Sequence, residues 1–116
     1  MKSNQYPGFH KLTTEQRAAE VAEFAGLTQE EIGRLTTPGA LSSEVADHVI
    51  ENVIGTYQLP VGVAMNFLIN GKEYVIPMVL EEASVVAAAS NAAKMARPGG
   101  GFTTSYTGNI MIAQVQ

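Results

Sequence analysis

The sequence predicts an α+β fold in which short helices precede a β-hairpin, a long alanine-rich helix and a final strand. Two observations support this order. Before residue 56, apolar residues recur every three or four positions and capping residues precede each run, which is typical of helices. From Val61 onward the period shortens, and two β-favouring runs flank the turn-forming pair Asn70-Gly71. The 116 residues are enough for one domain with a modest core.

The first two helices each begin with a capping box, in which a Thr and a Gln or Glu three residues later satisfy each other's backbone N–H groups. Thr13 with Gln16 predicts one helix start, and Thr28 with Glu31 predicts the next. Glycine-containing turns are expected to end these helices, at Gly26 and at 37–39.

A third helix is predicted from a serine cap at Ser42 or Ser43. Apolar residues then recur at helical spacing, and Gly55 is the expected stop. The apolar positions of this helix are Leu41, Val45, Val49 and Val53.

Two strands are expected at 61–68 and 74–80, joined by a tight turn at Asn70-Gly71. The alanine-rich stretch that follows predicts a helix from about Ser84 to Arg97, with Ser84 as its N-cap or a first-turn residue. A final strand is expected at 109–116. Because that strand ends without a turn or cap, we expect the chain to be part of a longer protein.

Composition excludes several classes of function. With no cysteine, disulfides, thiolate metal sites and cysteine nucleophiles are ruled out. The two histidines, His10 and His48, lack metal-ligand spacing, so no metal site is expected. A net charge of −4 without a basic run argues against nucleic acid as a partner. No apolar stretch is long enough to cross a bilayer and no signal-peptide core is present, so we expect a cytoplasmic protein without a membrane partner.

Two adjacent carboxylates, Glu81 and Glu82, lie between the second strand and the alanine-rich helix. Water in a turn could solvate them. Alternatively, a low-dielectric pocket could raise the pKa of one of them and make it a proton donor near neutral pH. The residues alone favour the solvated alternative.

The segment 51–64 resembles the Glu-Asn-Val-Ile-Gly-x-x-x-hydrophobic-Pro signature of 3-hydroxy-3-methylglutaryl-CoA (HMG-CoA) reductases. The resemblance is closest to the soluble class II enzymes of bacteria and archaea, and it extends to the leader at 9–17. It continues without a gap through 66–71, 75–79, 81–90, 93–97 and 100–104.

This resemblance implies an oxidoreductase that interconverts HMG-CoA and mevalonate plus CoA, in the biosynthetic or the degradative direction, using NADH or NADPH. It also implies a homo-oligomer based on dimers. Residues 1–40 would be N-terminal helices, and 41–116 would begin the large, substrate-binding domain. The nucleotide-binding domain would lie outside this chain, so no cofactor-binding residue is expected here.

The resemblance also assigns roles to individual residues. The catalytic glutamate falls on Glu82, whereas Glu81 would be structural or solvent-facing. Ser84 matches a position that contacts the HMG carboxylate or its surroundings. Ala83 replaces a proline that is frequent in close relatives, and this change removes no catalytic group.

Three further residues are implied to contribute to substrate binding. Glu51 and Asn52 belong to the signature, which lies near the subunit interface and the active site in this family. Lys11, next to His10, would contact the CoA phosphates, because family members carry a basic residue in this leader.

The family's catalytic lysine, aspartate and histidine have no matching segments here, so the chain alone is expected to be inactive. Two alternatives are a non-catalytic dimerisation or binding module with the same partial fold, and a fragment without independent function. A hydrolase using Glu51, Glu81 and Glu82 is disfavoured, because adjacent carboxylates on one turn rarely face a substrate from opposite sides.

Overall fold

The computed structural model describes residues 3–39 and 41–109 and confirms the α+β class. Single 3₁₀ turns also occur at Phe9–Lys11 and Arg97–Gly99. The helices of the described residues are Thr14–Ala25 (α1), Gln29–Thr36 (α2), Ser43–Val49 (α3) and Val85–Ala96 (α4), and the strands are Val61–Ile69 (β1) and Lys72–Val79 (β2).

Both predicted capping boxes are present. At the start of α1, the Gln16 N–H donates to Thr13 Oγ1 over 3.3 Å, and the Thr13 N–H donates to Gln16 Oε1 over 2.9 Å. Thr28 and Glu31 make the same reciprocal pair before α2, at 3.2 and 2.8 Å. Gly26 ends α1 in the left-handed conformation that glycine adopts without steric cost.

The predicted extent of α3 is wrong. Ser42 caps the helix, as predicted, by accepting from the Val45 N–H over 3.2 Å. The helix nevertheless ends at Val49, because Ile50 is extended and Asn52 is left-handed at φ 57°. The apolar side chains of α3 find little to pack against: Val49 is 69% exposed. A short helix gains most of its stability from packing an apolar face, so sequence periodicity alone does not extend it to Gly55.

The hairpin turn is confirmed, with Asn70 and Gly71 both at positive φ, as a type I′ turn requires. The strands pair antiparallel, so that Val61 faces Val79 and Val63 faces Pro77. A bulge interrupts the ladder between Ala64 and Phe67, where β1 contains one residue more than β2.

The core lies where α4 packs across β1. Ala64, Met65 and Ala93 are almost completely buried there. Gly62 favours the close approach of the two elements, since a Cβ atom at that position would make a tight contact of 3.1 Å with Val86 Cγ2.

A short parallel bridge extends the sheet beyond the edge of β1. The Phe102 N–H donates to Leu68 O over 2.8 Å, and the Asn70 N–H donates to Phe102 O over 2.9 Å. Gly101 at φ 77° allows this contact, because a Cβ atom there would lie only 2.3 Å from Leu68 O. The strand predicted at 109–116 lies outside the described residues, except for Asn109.

Candidate functional site

The two acidic residues lie on the turn that joins the end of β2 to the start of α4. Both Glu81 and Glu82 are exposed, so the chain alone provides no low-dielectric pocket for either carboxylate. The Leu80 N–H donates to Pro60 O over 3.3 Å just before the turn. The acidic turn therefore lies at the open end of the hairpin, beside the start of β1.

Ser84 takes the N-cap position of α4 with an unusual backbone. Its φ of 68° is left-handed, and its side chain makes no capping hydrogen bond. Its carbonyl accepts from the Ala88 N–H over 2.8 Å. Left-handed backbone costs a non-glycine residue on the order of 1 kcal/mol, and such positions concentrate at functional sites. The Ser84 hydroxyl is thus not used to begin the helix and remains exposed beside the N-terminus of α4.

Glu51 and Asn52 are exposed in the irregular segment between α3 and β1, and not in the last turn of a helix as predicted. This segment leads to Pro60, whose carbonyl accepts from Leu80. The fold therefore brings the end of the signature segment next to the acidic turn, although the two are more than 20 residues apart in sequence. Its apolar side chains are open to solvent: Tyr57, for example, is 87% exposed.

Lys11 lies in the 3₁₀ turn Phe9–Lys11, with its side chain exposed beside the exposed His10. Within residues 3–39 and 41–109, no hydrogen bond or ion pair joins Lys11 to the acidic turn. The chain by itself therefore does not bring Lys11 and Glu82 into contact.

Sequence reasoning missed a polar cluster formed by Ser3, Asn4, Glu73 and Arg97. The Asn4 N–H and the Ser3 hydroxyl each donate to the Glu73 carboxylate over 3.1 Å, and Arg97 forms an ion pair with it. Partial burial raises the pKa of Glu73, but the hydrogen bonds from Asn4, Arg97 and Ser3 outweigh it and hold the pKa below its usual value.

Asn4 is the fully buried centre of this cluster. Its Nδ2 donates to Phe67 O and Tyr74 O, both over 2.7 Å, while its Oδ1 accepts from Arg97 Nη1 over 3.0 Å. Arg97 Nη1 also donates to Asn66 O over 3.1 Å. The amide thus satisfies backbone carbonyls on both strands beside the bulge. No periodic or motif signal marks such a residue, because every partner is distant in sequence.

No group of three His, Asp or Glu side chains could hold a metal within 3–39 and 41–109. A groove of about 410 Å³ lies between α1 and α2, but none of the predicted site residues line it. In the same ranges, none of the helices has the length and apolar character required to cross a bilayer.

Comparisons with known proteins agree with the sequence resemblance. A family model described as hydroxymethylglutaryl-coenzyme A reductase matches residues 13–116. A 3-hydroxy-3-methylglutaryl-coenzyme A reductase of Archaeoglobus fulgidus is 61% identical over 114 residues, which cover 98% of this chain and 26% of that protein. A probable reductase of the same name from Borreliella burgdorferi is 50% identical over 48 residues, or 41% of this chain and 11% of that protein.

The fold matches as well. A class II reductase from Streptococcus pneumoniae, solved bound to NADPH in open conformations, superposes with a TM-score of 0.76 and 41% identity over 85% of this chain and 27% of that one. The chain thus spans about a quarter of the length of the archaeal relative and of this structure. On the extent of these matches, the chain belongs to the hydroxymethylglutaryl-coenzyme A reductase family, as its sequence predicted.

Proposed function

We propose that this chain supplies the acid-bearing part of an HMG-CoA reductase, which interconverts HMG-CoA and mevalonate plus CoA with NADH or NADPH. The observation that carries this proposal is the 61% identity across nearly the whole chain, which includes the acidic turn and the signature segment. The fold supports it, because these two motifs meet at the open end of the hairpin. In this proposal the protein is cytoplasmic, and residues 41–116 begin its substrate-binding domain.

Glu82 would act as the proton donor. Reducing a thioester to an alcohol takes two hydride transfers: the first gives a hemithioacetal that releases the CoA thiolate, and the second reduces the resulting aldehyde. The thiolate and each developing alkoxide need a proton, which a positioned carboxylic acid can provide. Since a carboxyl holds its proton more readily when shielded from water, we propose that bound substrate and further polypeptide cover the exposed Glu82.

The neighbouring residues would bind the substrate. The Ser84 hydroxyl, which is not used as a helix cap, would donate to the HMG carboxylate beside the N-terminus of α4, where backbone N–H groups favour an anion. Lys11 would pair with the CoA phosphates. Glu51 and Asn52 would lie near the subunit interface and the active site of a dimer.

The nicotinamide cofactor supplies the hydride when it is bound. The family is NAD(P)H-dependent, and the pneumococcal structure holds NADPH. We place this site in polypeptide that corresponds to the remaining three quarters of the relatives. The role of this chain would be to orient the substrate and to hold a proton at the Glu82 carboxyl.

The test is Glu82→Gln in the complete enzyme, with HMG-CoA-dependent oxidation of NADPH or NADH as the measurement. We expect kcat to fall about 10²- to 10⁴-fold, the usual contribution of general acid–base catalysis, while HMG-CoA still binds. The matched control is Glu81→Gln on the same turn, which should retain activity. Unchanged turnover by Glu82→Gln would contradict the proposal.

A non-catalytic dimerisation module remains a second candidate, and the exposed apolar residues favour it. Ile54 is fully exposed and Tyr57 is 87% exposed, so the signature region presents a surface suited to association. Light scattering on the chain would detect a dimer. If the complete enzyme is active and Glu82→Gln abolishes that activity, the chain is not a non-catalytic module.

A further inference from the structure

We propose that Ser90 is a positioning residue that fixes α4 on β1 and thereby sets the location of the Glu82 turn. The inference rests on the proposed function of Glu82. Ser90 lies in the middle of α4, eight residues beyond Glu82, and does not belong to the acidic turn.

The Ser90 hydroxyl connects the strand to the helix. It accepts from the Met65 N–H over 3.0 Å and donates to Val86 O over 2.8 Å. Met65 is buried and lies in the bulge, where the ladder between β1 and β2 is interrupted. Its N–H therefore needs a partner outside the sheet, since a buried unpaired donor is costly, and Ser90 provides that partner.

A second hydrogen bond joins the bulge to the same residue. Asn66, left-handed at φ 68°, donates from Nδ2 to the Ser90 carbonyl over 3.0 Å. Met65 thus bonds to the side chain of Ser90, and the next residue of β1, Asn66, bonds to its main chain. This pair of contacts fixes both the rotation of α4 and its height along the strand.

The helix residues that contact β1 share one face of α4. Val86 and Ser90 lie four residues apart, and Arg97, the C-cap residue directly after α4, lies seven residues beyond Ser90. Both spacings return to nearly the same side of a helix. Val86 lies against Gly62, and Arg97 donates to Asn66 O. Of these contacts, the hydrogen bonds of Ser90 are the polar ones nearest to the acidic turn.

Because Ser90 fixes the helix that begins beside the acidic turn, its hydroxyl affects the position of the Glu82 carboxylate. An α-helix transmits a shift along its length, and a misplacement of about 1 Å can reduce catalysis about 10²-fold. Alanine, the neighbouring residue type, is the better helix former, so helix propensity alone would favour alanine at position 90. The serine is therefore explained by its contacts with the bulge and not by the helix.

The test compares Ser90→Ala and Ser90→Thr in the complete enzyme. We expect Ser90→Ala to lower kcat about 10- to 100-fold, as displacement of a catalytic group predicts, with a smaller rise in the KM for HMG-CoA because Ser84 lies at the start of the same helix. Ser90→Thr keeps the hydroxyl and should restore most of kcat. The matched control is Thr36→Ala, because Thr36 Oγ1 makes the same type of bond to Ile32 O over 3.1 Å on the remote helix α2. This control should leave kcat unchanged.

Three results would overturn the proposal: full activity of Ser90→Ala, a raised KM with unchanged kcat, or a loss of kcat that matches the fraction of unfolded protein seen by circular dichroism. Adding Ser90→Ala to Glu82→Gln should reduce kcat no further, because Ser90 acts through Glu82. If Glu82→Gln is inactive and Ser90→Ala is fully active, only the positioning role of Ser90 is refuted. An active Glu82→Gln refutes the proposed function and this inference together.

Discussion

The N-terminal helices and the hairpin with α4 are held together by different kinds of interaction. In α1 and α2, the capping hydrogen bonds join residues three apart, and these two helices pack on each other. In the hairpin, hydrogen bonds from Asn4 and Arg97 join segments separated by 24 to 93 residues. The first region is therefore specified locally and the second by long-range contacts, so substitutions should affect them to different extents.

The largest effect is expected from Gly101→Ala, which tests how closely 101–102 must approach β1. The added Cβ would lie 2.3 Å from Leu68 O, in a left-handed backbone, so we expect a loss of about 3 kcal/mol or more in the free energy of unfolding. Gly100→Ala is the matched control, because its φ is also positive but no atom lies within 4 Å of the added Cβ. It should cost about 1 kcal/mol. If denaturant titrations gave equal losses of unfolding free energy for the two variants, backbone strain and not the close contact with Leu68 would explain the cost of Gly101→Ala.

Asn4→Ala should have the next largest effect, although the residue is in an irregular segment. It removes the side-chain donor to Phe67 O and Tyr74 O and the acceptor for Arg97 Nη1, and each lost hydrogen bond of a buried group costs about 1–3 kcal/mol. We expect a loss of about 2–3 kcal/mol in the free energy of unfolding. Asn91→Ala, at an exposed position of α4, should change it by less than about 0.5 kcal/mol. A loss from Asn4→Ala as small as the control's would disprove the central role of Asn4.

Thr28→Ala should weaken only the locally specified region. Loss of an N-cap costs about 1 kcal/mol, and the partners of Thr28 lie within its own capping box. Hydrogen exchange should therefore accelerate in α2 while the amides of β1 keep their protection. Faster exchange in β1 would show that the two regions are coupled.

Protonation of Glu73 should give the smallest effect, since it removes a charge but no atoms. Because the folded pKa of Glu73 is lowered from 4.5, its stabilisation is fully present above that pH and is lost as the pH falls through the folded value. Unfolding free energies measured between pH 6 and pH 3 should decline more steeply for the natural protein than for Glu73→Gln. Parallel curves would argue against a linked Glu73–Arg97 pair.

The sequence predicted those features whose signals are local. Both capping boxes and the Asn70-Gly71 turn were predicted because a few neighbouring residues determine their geometry. The extent of α3 was missed because it depends on packing that the apolar residues of the helix do not find. The bulge and the buried Asn4 were missed because their partners are distant in sequence.

The candidate site was predicted to a similar degree. The position of Glu82 between strand and helix follows from the sequence, and its exposure agrees with the solvated alternative that the residues alone favour. The proximity of the signature segment to the acidic turn required the strand register, which pairs Val61 with Val79. The left-handed backbone of Ser84 could not be predicted, because nothing about a serine at this position indicates it.

The pairing of Pro77 with Val63 has a consequence for aggregation. β2 lies at the edge of the two-stranded sheet in the described residues, and exposed edges are templates for strands of other molecules. Proline has no N–H to offer and is tolerated where that side of the strand faces solvent. A foreign strand approaching β2 would therefore meet a missing donor in the middle of the edge. Pro77 therefore disfavours the pairing of other molecules with the exposed edge of β2. The opposite edge of the sheet, on β1, pairs with Phe102 of the same chain.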